Sequence, residues 1–172
     1  MPTTFQAIYE AEFAYVWNTL RRLGVRGDDL KDVAHDVFVV AFRRLADYDA
    51  TRPVRPWLFG IAFRVVAHVR RREQADPERS PAGVEELAST GAGPEESLAA
   101  SQDRQRVARA LEALDLDRRA VFVMHELDGQ AVPEIARTLA IPLNTAYSRL
   151  RLARRDFVDA VKRTRSAGAS HG

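Results

Sequence analysis

Asp32, His35 and Asp36 come nearest to a reactive centre in this chain. Helical steps of three and four residues put all three on one face, and two carboxylates beside an imidazole are a metal-ligand set. A bundle metal site built on a carboxylate three residues ahead of a histidine needs a second copy on a facing helix. The other histidines do not supply it: Val65 precedes His68 at that offset, Phe122 precedes His125, and His171 stands next to last in the chain. The three residues are therefore read as a polar helix face, with no metal and no cofactor expected. There is no cysteine for a thiolate, no nucleophile-elbow glycine pattern around any serine, and no glycine-rich phosphate loop. No catalytic residue is assigned and the chain is not read as an enzyme.

The chemistry the sequence does offer is ionic. Net charge is only +2, but the arginines are gathered in two places. Arg43, Arg44, Arg52, Arg55, Arg64, Arg70, Arg71 and Arg72 crowd one region; Arg137, Arg149, Arg151, Arg154, Arg155, Arg163 and Arg165 crowd another. Two basic modules suit two contacts on one polyanion, the second helped by effective concentration. Tyr48, Trp57, Phe59 and Phe63 lie among the first set and offer either rings for unpaired bases or core filling.

The positioning elements are all helical; sustained alternation and hairpin dipeptides are missing. A first helix is predicted from Thr3 or Thr4 to Leu23, with Phe5, Ile8, Tyr9, Phe13, Val16, Trp17 and Leu20 inward. A second runs from Asp28 or Asp29 to about Asp47, burying a stripe that ends in Phe42 and Leu45. A proline-bearing loop, 48–56, leads to a third from Arg55 to Glu73. Residues 74–94 hold three prolines, three glycines and mostly acidic charge, and read as a flexible linker. Periodicity returns from Glu95 to Leu114, with Leu98 and Val107 in its stripe, and Asp117 is expected to cap the next helix. Val132–Leu139, a break at Pro142, and a long helix from Leu143 make a helix-turn-helix. The second of these helices puts Ala146, Leu150, Ala153, Phe157 and Val161 on one side. Its other side carries Asn144, Thr145, Tyr147, Ser148, Arg149, Arg151, Arg154 and Arg155.

The organisation expected is all-α: a three-helix domain over 1–73, the linker over 74–94, a helix-turn-helix domain over 95–165 and a disordered tail over 166–172. The N-terminus has acidic residues where a secretory signal needs basic ones, and no apolar run approaches the roughly 18 residues that span a bilayer. A cytoplasmic protein without membrane insertion is expected.

Three segments in this order, DLKDVAHDVFVVAFRRL, RPWLFGIAFRVVAHVRRR and ALEALDLDRRAVFVMHELDGQAVPEIARTLAIPLNTAYSRLRLARRDF, resemble the extracytoplasmic-function sigma factors, the small two-domain initiation subunits of bacterial RNA polymerase. The resemblance implies a region 2-like first domain and a region 4-like second domain. Asp32, His35 and Asp36 would then dock on core polymerase, with His35 where the family usually has glutamine. Tyr48, Arg52, Trp57, Arg64, His68, Arg70, Arg71 and Arg72 would serve the minus-ten element. Within that set, His68 replaces a usual aspartate, and Phe63–Arg64 replaces a common arginine-asparagine pair. Asn144, Thr145, Tyr147, Ser148, Arg149, Arg151 and Arg154 would serve the minus-thirty-five element, with Tyr147 where lysine or arginine is frequent. The resemblance further implies promoter DNA, core polymerase and an anti-sigma factor as partners. A stand-alone helix-turn-helix regulator is the alternative, and it leaves the arginine-ended third helix without a role.

Overall fold

The structure, a computed structural model, describes residues 4–79 and 98–169. Seven α-helices and no strand occur among them. Thr4 caps α1 (Phe5–Arg22), its hydroxyl accepting from the Ala7 amide. The helix closes at Gly24, whose φ of +92° is a conformation that side chains with a Cβ rarely adopt. α2 (Gly27–Arg43) opens with Asp28 and Asp29 against the positive end of its dipole. It stops four residues short of Asp47, and the chain tightens into a 3-10 turn at Leu45–Asp47. α3 (Val54–Ala75) starts just after Pro53, with Pro56 in its first turn where no amide partner is needed.

Val16, Leu20, Leu23, Val37, Leu58, Phe59 and Ile61 are sealed between these three helices. Each such side chain stabilises the bundle by about 1.5–3 kcal/mol. Phe59 thus belongs to the core, while Trp57 and Phe63 are only partly covered. Tyr9, Phe13 and Phe42, placed inward by periodicity, are exposed by 39%, 38% and 62%. They pack against Phe5, Phe38 and one another at the rim instead of entering the core, edge-on or tilted except for the stacked Phe13–Phe38 pair.

Of the expected linker, the first residues finish α3 and form a 3-10 turn at Pro77–Arg79; 80–97 lie outside the described residues. α4 (Leu98–Glu112) leaves Leu98 and Val107 exposed and buries Ala110 and Leu111. The cap of α5 (Leu116–Phe122) is Asp115, not Asp117: the Asp115 carboxylate accepts from the Arg118 amide at 2.9 Å. Asp117, inside the first turn, instead faces Arg149 at 3.3 Å. The helix widens into a π turn at Val123–Leu127. α6 (Val132–Leu139) and α7 (Leu143–Ala169) follow. α7 runs past the expected start of the tail, since no proline interrupts it and the Thr164 and Ser166 hydroxyls return to carbonyls four residues back.

The two helical domains touch, and their buried side chains form one continuous cluster. α6 lies against α3. A Cβ on Gly60 would stand 3.2 Å from Thr138 Cγ2 and 3.3 Å from its carbonyl oxygen, so the bare α-carbon sets how near the helices come. Asp128, after the π turn, accepts the Tyr15 hydroxyl at 2.7 Å and lies 3.7 Å from Arg22. Arg119, only 5% exposed, reaches from α5 to the Leu114 carbonyl and the bare face of Gly24. Burial and the neighbouring Arg70 bring its guanidinium pKa down to about 10, so it stays charged at neutral pH.

Burial pushes the Asp128 carboxyl above its ordinary value, opposed by the Tyr15 hydroxyl, Arg22 and Arg55. A carboxyl raised in the folded state contributes stability that is full below its unfolded pKa and lost as pH rises through the folded one. Asp128→Asn keeps an acceptor for Tyr15 and removes the charge. Thermal unfolding from pH 7 to pH 4 should therefore show the variant falling behind the parent as pH drops. The expected lag is on the order of 2–4 °C, the shift that about 1 kcal/mol produces in a chain of this size. Parallel curves would contradict the burial of this charge at the contact.

Candidate nucleic-acid interface

The turn between α6 and α7 aims the second module. Ala140 holds it in the left-handed region at φ 53°, ψ 48°, while the Ile141 amide returns to the Ala136 carbonyl at 3.0 Å. Pro142 then bars continuation of the first helix, and α7 begins at Leu143. Ala146, Leu150 and Ala153 of α7 are buried against α5 and α6. That burial turns Asn144, Tyr147, Ser148 and Arg151 outward. Tyr147 is 52% exposed, beside a groove of about 870 Å³ lined by His125, Pro133, Ser148 and Arg151 among others. Arg149 is paired with Asp117, and Arg154 with Glu126. Arg151 forms no ion pair among the described residues. Thr145 is half-buried.

On the first module, the 48–53 loop is shaped by its own side chains. The Tyr48 hydroxyl donates to the Arg52 carbonyl at 2.6 Å, and its ring lies 4.8 Å from Trp57. Asp49 accepts from the Thr51 amide and hydroxyl, which holds its carboxyl below the ordinary value. Arg55 pairs with Glu12 at 2.8 Å and covers the Tyr15 ring.

The expected minus-ten residues do not share one environment. Arg71, Arg72 and His68 are exposed. Arg70 turns inward to the Leu23 carbonyl at 2.7 Å, capping α1, and burial lowers its pKa. Arg52 is paired with Glu134 of α6, and Arg64 donates to the Thr138 carbonyl at 3.0 Å. The run of three arginines therefore divides into one structural cation and two surface ones. Asp32, His35 and Asp36 lie on the outer face of α2, with side-chain exposures of 76% for His35 and 62% for Asp36, 3.9 Å apart.

Sequence reasoning missed Tyr15, Asp128, Glu134 and Thr138, because their partners lie in the other domain. Gly60 was the legible signal, a lone glycine inside a strong helical pattern, which marks a close approach. Among the described residues no cluster of three or more histidine and carboxylate side chains is placed to hold a metal ion. No helix among the described residues is long and apolar enough to cross a membrane.

Fold and surface define the class: a three-helix module with an acidic helix face, joined to a helix-turn-helix module with an arginine-bearing second helix. The family model described as Sigma-70 region 2 matches residues 8–76, and that for Sigma-70, region 4, matches residues 104–157. RNA polymerase sigma factor CnrH of Cupriavidus metallidurans is 36% identical over 141 residues, 78% of this chain and 74% of that protein. ECF RNA polymerase sigma-E factor of Escherichia coli is 32% identical over 140 residues, 76% of this chain and 72% of that one. The solved sigma factor RpoE of Bartonella quintana, in complex with the anti-sigma factor NepR, shares the fold at a TM-score of 0.73 and 19% identity. That match covers 92% of this chain and 96% of RpoE. CnrH in complex with the cytosolic domain of CnrY superposes at 0.64 with 25% identity, over 92% of this chain and 87% of CnrH. The chain belongs to the sigma-70 family, in its extracytoplasmic-function branch, and serves promoter-specific transcription initiation.

An L-residue in the left-handed region costs about 1–2 kcal/mol, and glycine at the same place gives back part of that in unfolded-state entropy. Ala140→Gly should raise stability by about 0.5–1 kcal/mol in urea unfolding. A loss of stability would show that the methyl group makes a packing contribution larger than its backbone strain.

Proposed function

We propose that α2 docks on core RNA polymerase through Asp32, His35 and Asp36, while the two arginine-bearing surfaces read the promoter. The observation that carries this is the separation of charge on the molecule. The exposed carboxylates Asp32 and Asp36 lie on α2, while the exposed arginines Arg71 and Arg72 lie on α3 and Arg151 on α7.

In the first domain, the Tyr48–Trp57 pair and the loop it braces take an unpaired base of the minus-ten element. Extruding a base costs a few kcal/mol, which ring stacking and pocket contacts must offset. Arg71 and Arg72 follow the phosphates, His68 lies along the same helix, and Arg52 and Arg64 join them once released from α6. Arg70 acts through the fold, by holding the end of α1. In the second domain α7 lies in the major groove. Asn144, Tyr147, Ser148 and Arg151 face base edges there, while Thr145, Arg149 and Arg154 position the helix on phosphates. RpoE is solved with the anti-sigma factor NepR and CnrH with the cytosolic domain of CnrY, and an anti-sigma factor is accordingly proposed as a partner here. The site of action proposed is the cytoplasm, where core polymerase and promoter DNA are found.

Asp36→Arg should abolish co-purification with core polymerase and promoter-directed run-off transcription. The variant's affinity for duplex containing the minus-thirty-five element should stay within twofold of the parent. Retention of core binding would remove α2 from the docking surface. In the holoenzyme, Arg151→Ala should cost about 1–3 kcal/mol on the preferred duplex and relax preference at one base pair. Arg154→Ala should weaken all duplexes evenly and lower the salt dependence, as loss of a phosphate contact does. The reverse pattern in a binding titration across base substitutions would exchange the two roles.

A further inference from the structure

We propose that the helix-turn-helix module takes up a proton at His125 when it binds duplex DNA, the imidazolium then holding one phosphate. This rests on the reading of α7 as the duplex-binding helix and adds a contact to it. The π turn Val123–Leu127 extends α5, and π turns of this kind are frequent at functional sites. Met124 is sealed in the core, while His125, next in the turn, is half-buried. The imidazole lines the same groove of about 870 Å³ as Tyr147, Ser148 and Arg151. It therefore shares the opening with the side chains of α7 that face the duplex.

The loop that follows holds the ring in one tautomer. Nδ1 lies 2.9 Å from the Gln130 carbonyl oxygen, and the Gln130 amide returns to the Met124 carbonyl at 2.9 Å. A carbonyl only accepts, so Nδ1 carries the proton and the neutral ring keeps its lone pair on Nε2. Nε2 has no hydrogen-bond partner among the described residues. In that form it meets a phosphate oxygen acceptor to acceptor. A second proton makes Nε2 a donor and the ring a cation, the form that a neighbouring phosphate favours. Glu126 and Asp128, the acids nearest in the chain, already serve Arg154 and Tyr15. On the groove itself α7 presents Arg151, Arg154 and the Tyr147 phenol, and the start of α6 presents the uncharged Val132 and Pro133. The anion left for an imidazolium in this place is the one that DNA supplies.

The probe is a duplex carrying the minus-thirty-five element of a promoter mapped with the holoenzyme, and its affinity for the full-length protein is read by fluorescence anisotropy at pH 8 and pH 6. The parent should bind about fivefold more tightly at pH 6, the gain that linkage gives when a phosphate makes an imidazole hold its proton about tenfold more firmly. Its affinity should also fall more steeply with salt at pH 6, by up to about 0.9 in the logarithmic slope, as one added phosphate contact requires. His125→Asn keeps an amide donor for the Gln130 carbonyl and removes Nε2. That variant should lose both pH effects and match the parent within twofold at pH 8. His125→Arg is charged at every pH, and should bind at pH 8 at least as tightly as the parent does at pH 6, with no gain on acidification. His35 and His68 are present in parent and variants alike, so their contribution cancels. A gain that survives in His125→Asn, or no gain in a parent whose binding Arg151→Ala weakens, would overturn proton uptake at His125. Duplex binding indifferent to both Arg151→Ala and Arg154→Ala would instead defeat the reading of α7, and this contact with it.

Discussion

Most of the arginines that give this protein its basic surfaces already meet acceptors of the protein itself, and its arrangement follows from which of those contacts are open to solvent and which are enclosed. Arg52, Arg55, Arg118, Arg149 and Arg154 each have a carboxylate within ion-pair distance, and Arg64 and Arg70 have backbone carbonyls. The solvent-exposed pairs among these contribute about 0–1 kcal/mol, so they hold long side chains in place without committing them. Such partners can be exchanged for phosphates with little loss. The buried contacts are of another kind. Arg119, at 5% exposure, and Asp128 beside the Tyr15 hydroxyl are enclosed by the fold, and removing either partner leaves a polar group without water.

These two strengths of contact divide the molecule into parts that stay and parts that exchange. Arg70 and the Leu23 carbonyl belong to the first kind: the cation caps a helix whose end also meets Arg119. Arg71 and Arg72, next in the chain, belong to the second, with side chains in solvent. Three consecutive identical residues thus do different work because a helix turns each by about 100° from the last. The same rotation separates Arg149 and Arg154, tethered to neighbouring acids, from Arg151, which faces outward between them.

Much of this was legible in the sequence, and the reason is local. The helix-turn-helix was readable because Pro142 and the stripe Ala146, Leu150, Ala153 act over a few residues, and the bounds of α6 fall where the pattern puts them. The exposed face of α2 was readable for the same reason. Position along a helix does not say how thick a three-helix bundle is, however. Tyr9, Phe13 and Phe42 repeat correctly yet lie at the rim, where the partner helices no longer cover them. Asp115 took the capping role from Asp117 because a carboxylate one residue before the helix reaches the free amides, whereas one inside the first turn points sideways. Least legible was the contact between domains. The residues that make it, such as Asp128 and Tyr15, are 113 positions apart, and no periodicity connects them.

Release of Arg52 and Arg64 from α6 on the promoter is tested most directly by the distance between the domains before and after initiation. Fluorophores on Asn18→Cys and Asp159→Cys, exposed positions on α1 and α7, would report it by energy transfer. The transfer should be high in the free chain and fall when the labelled protein joins core polymerase on a promoter. Transfer that stays unchanged in an actively transcribing complex would contradict the account.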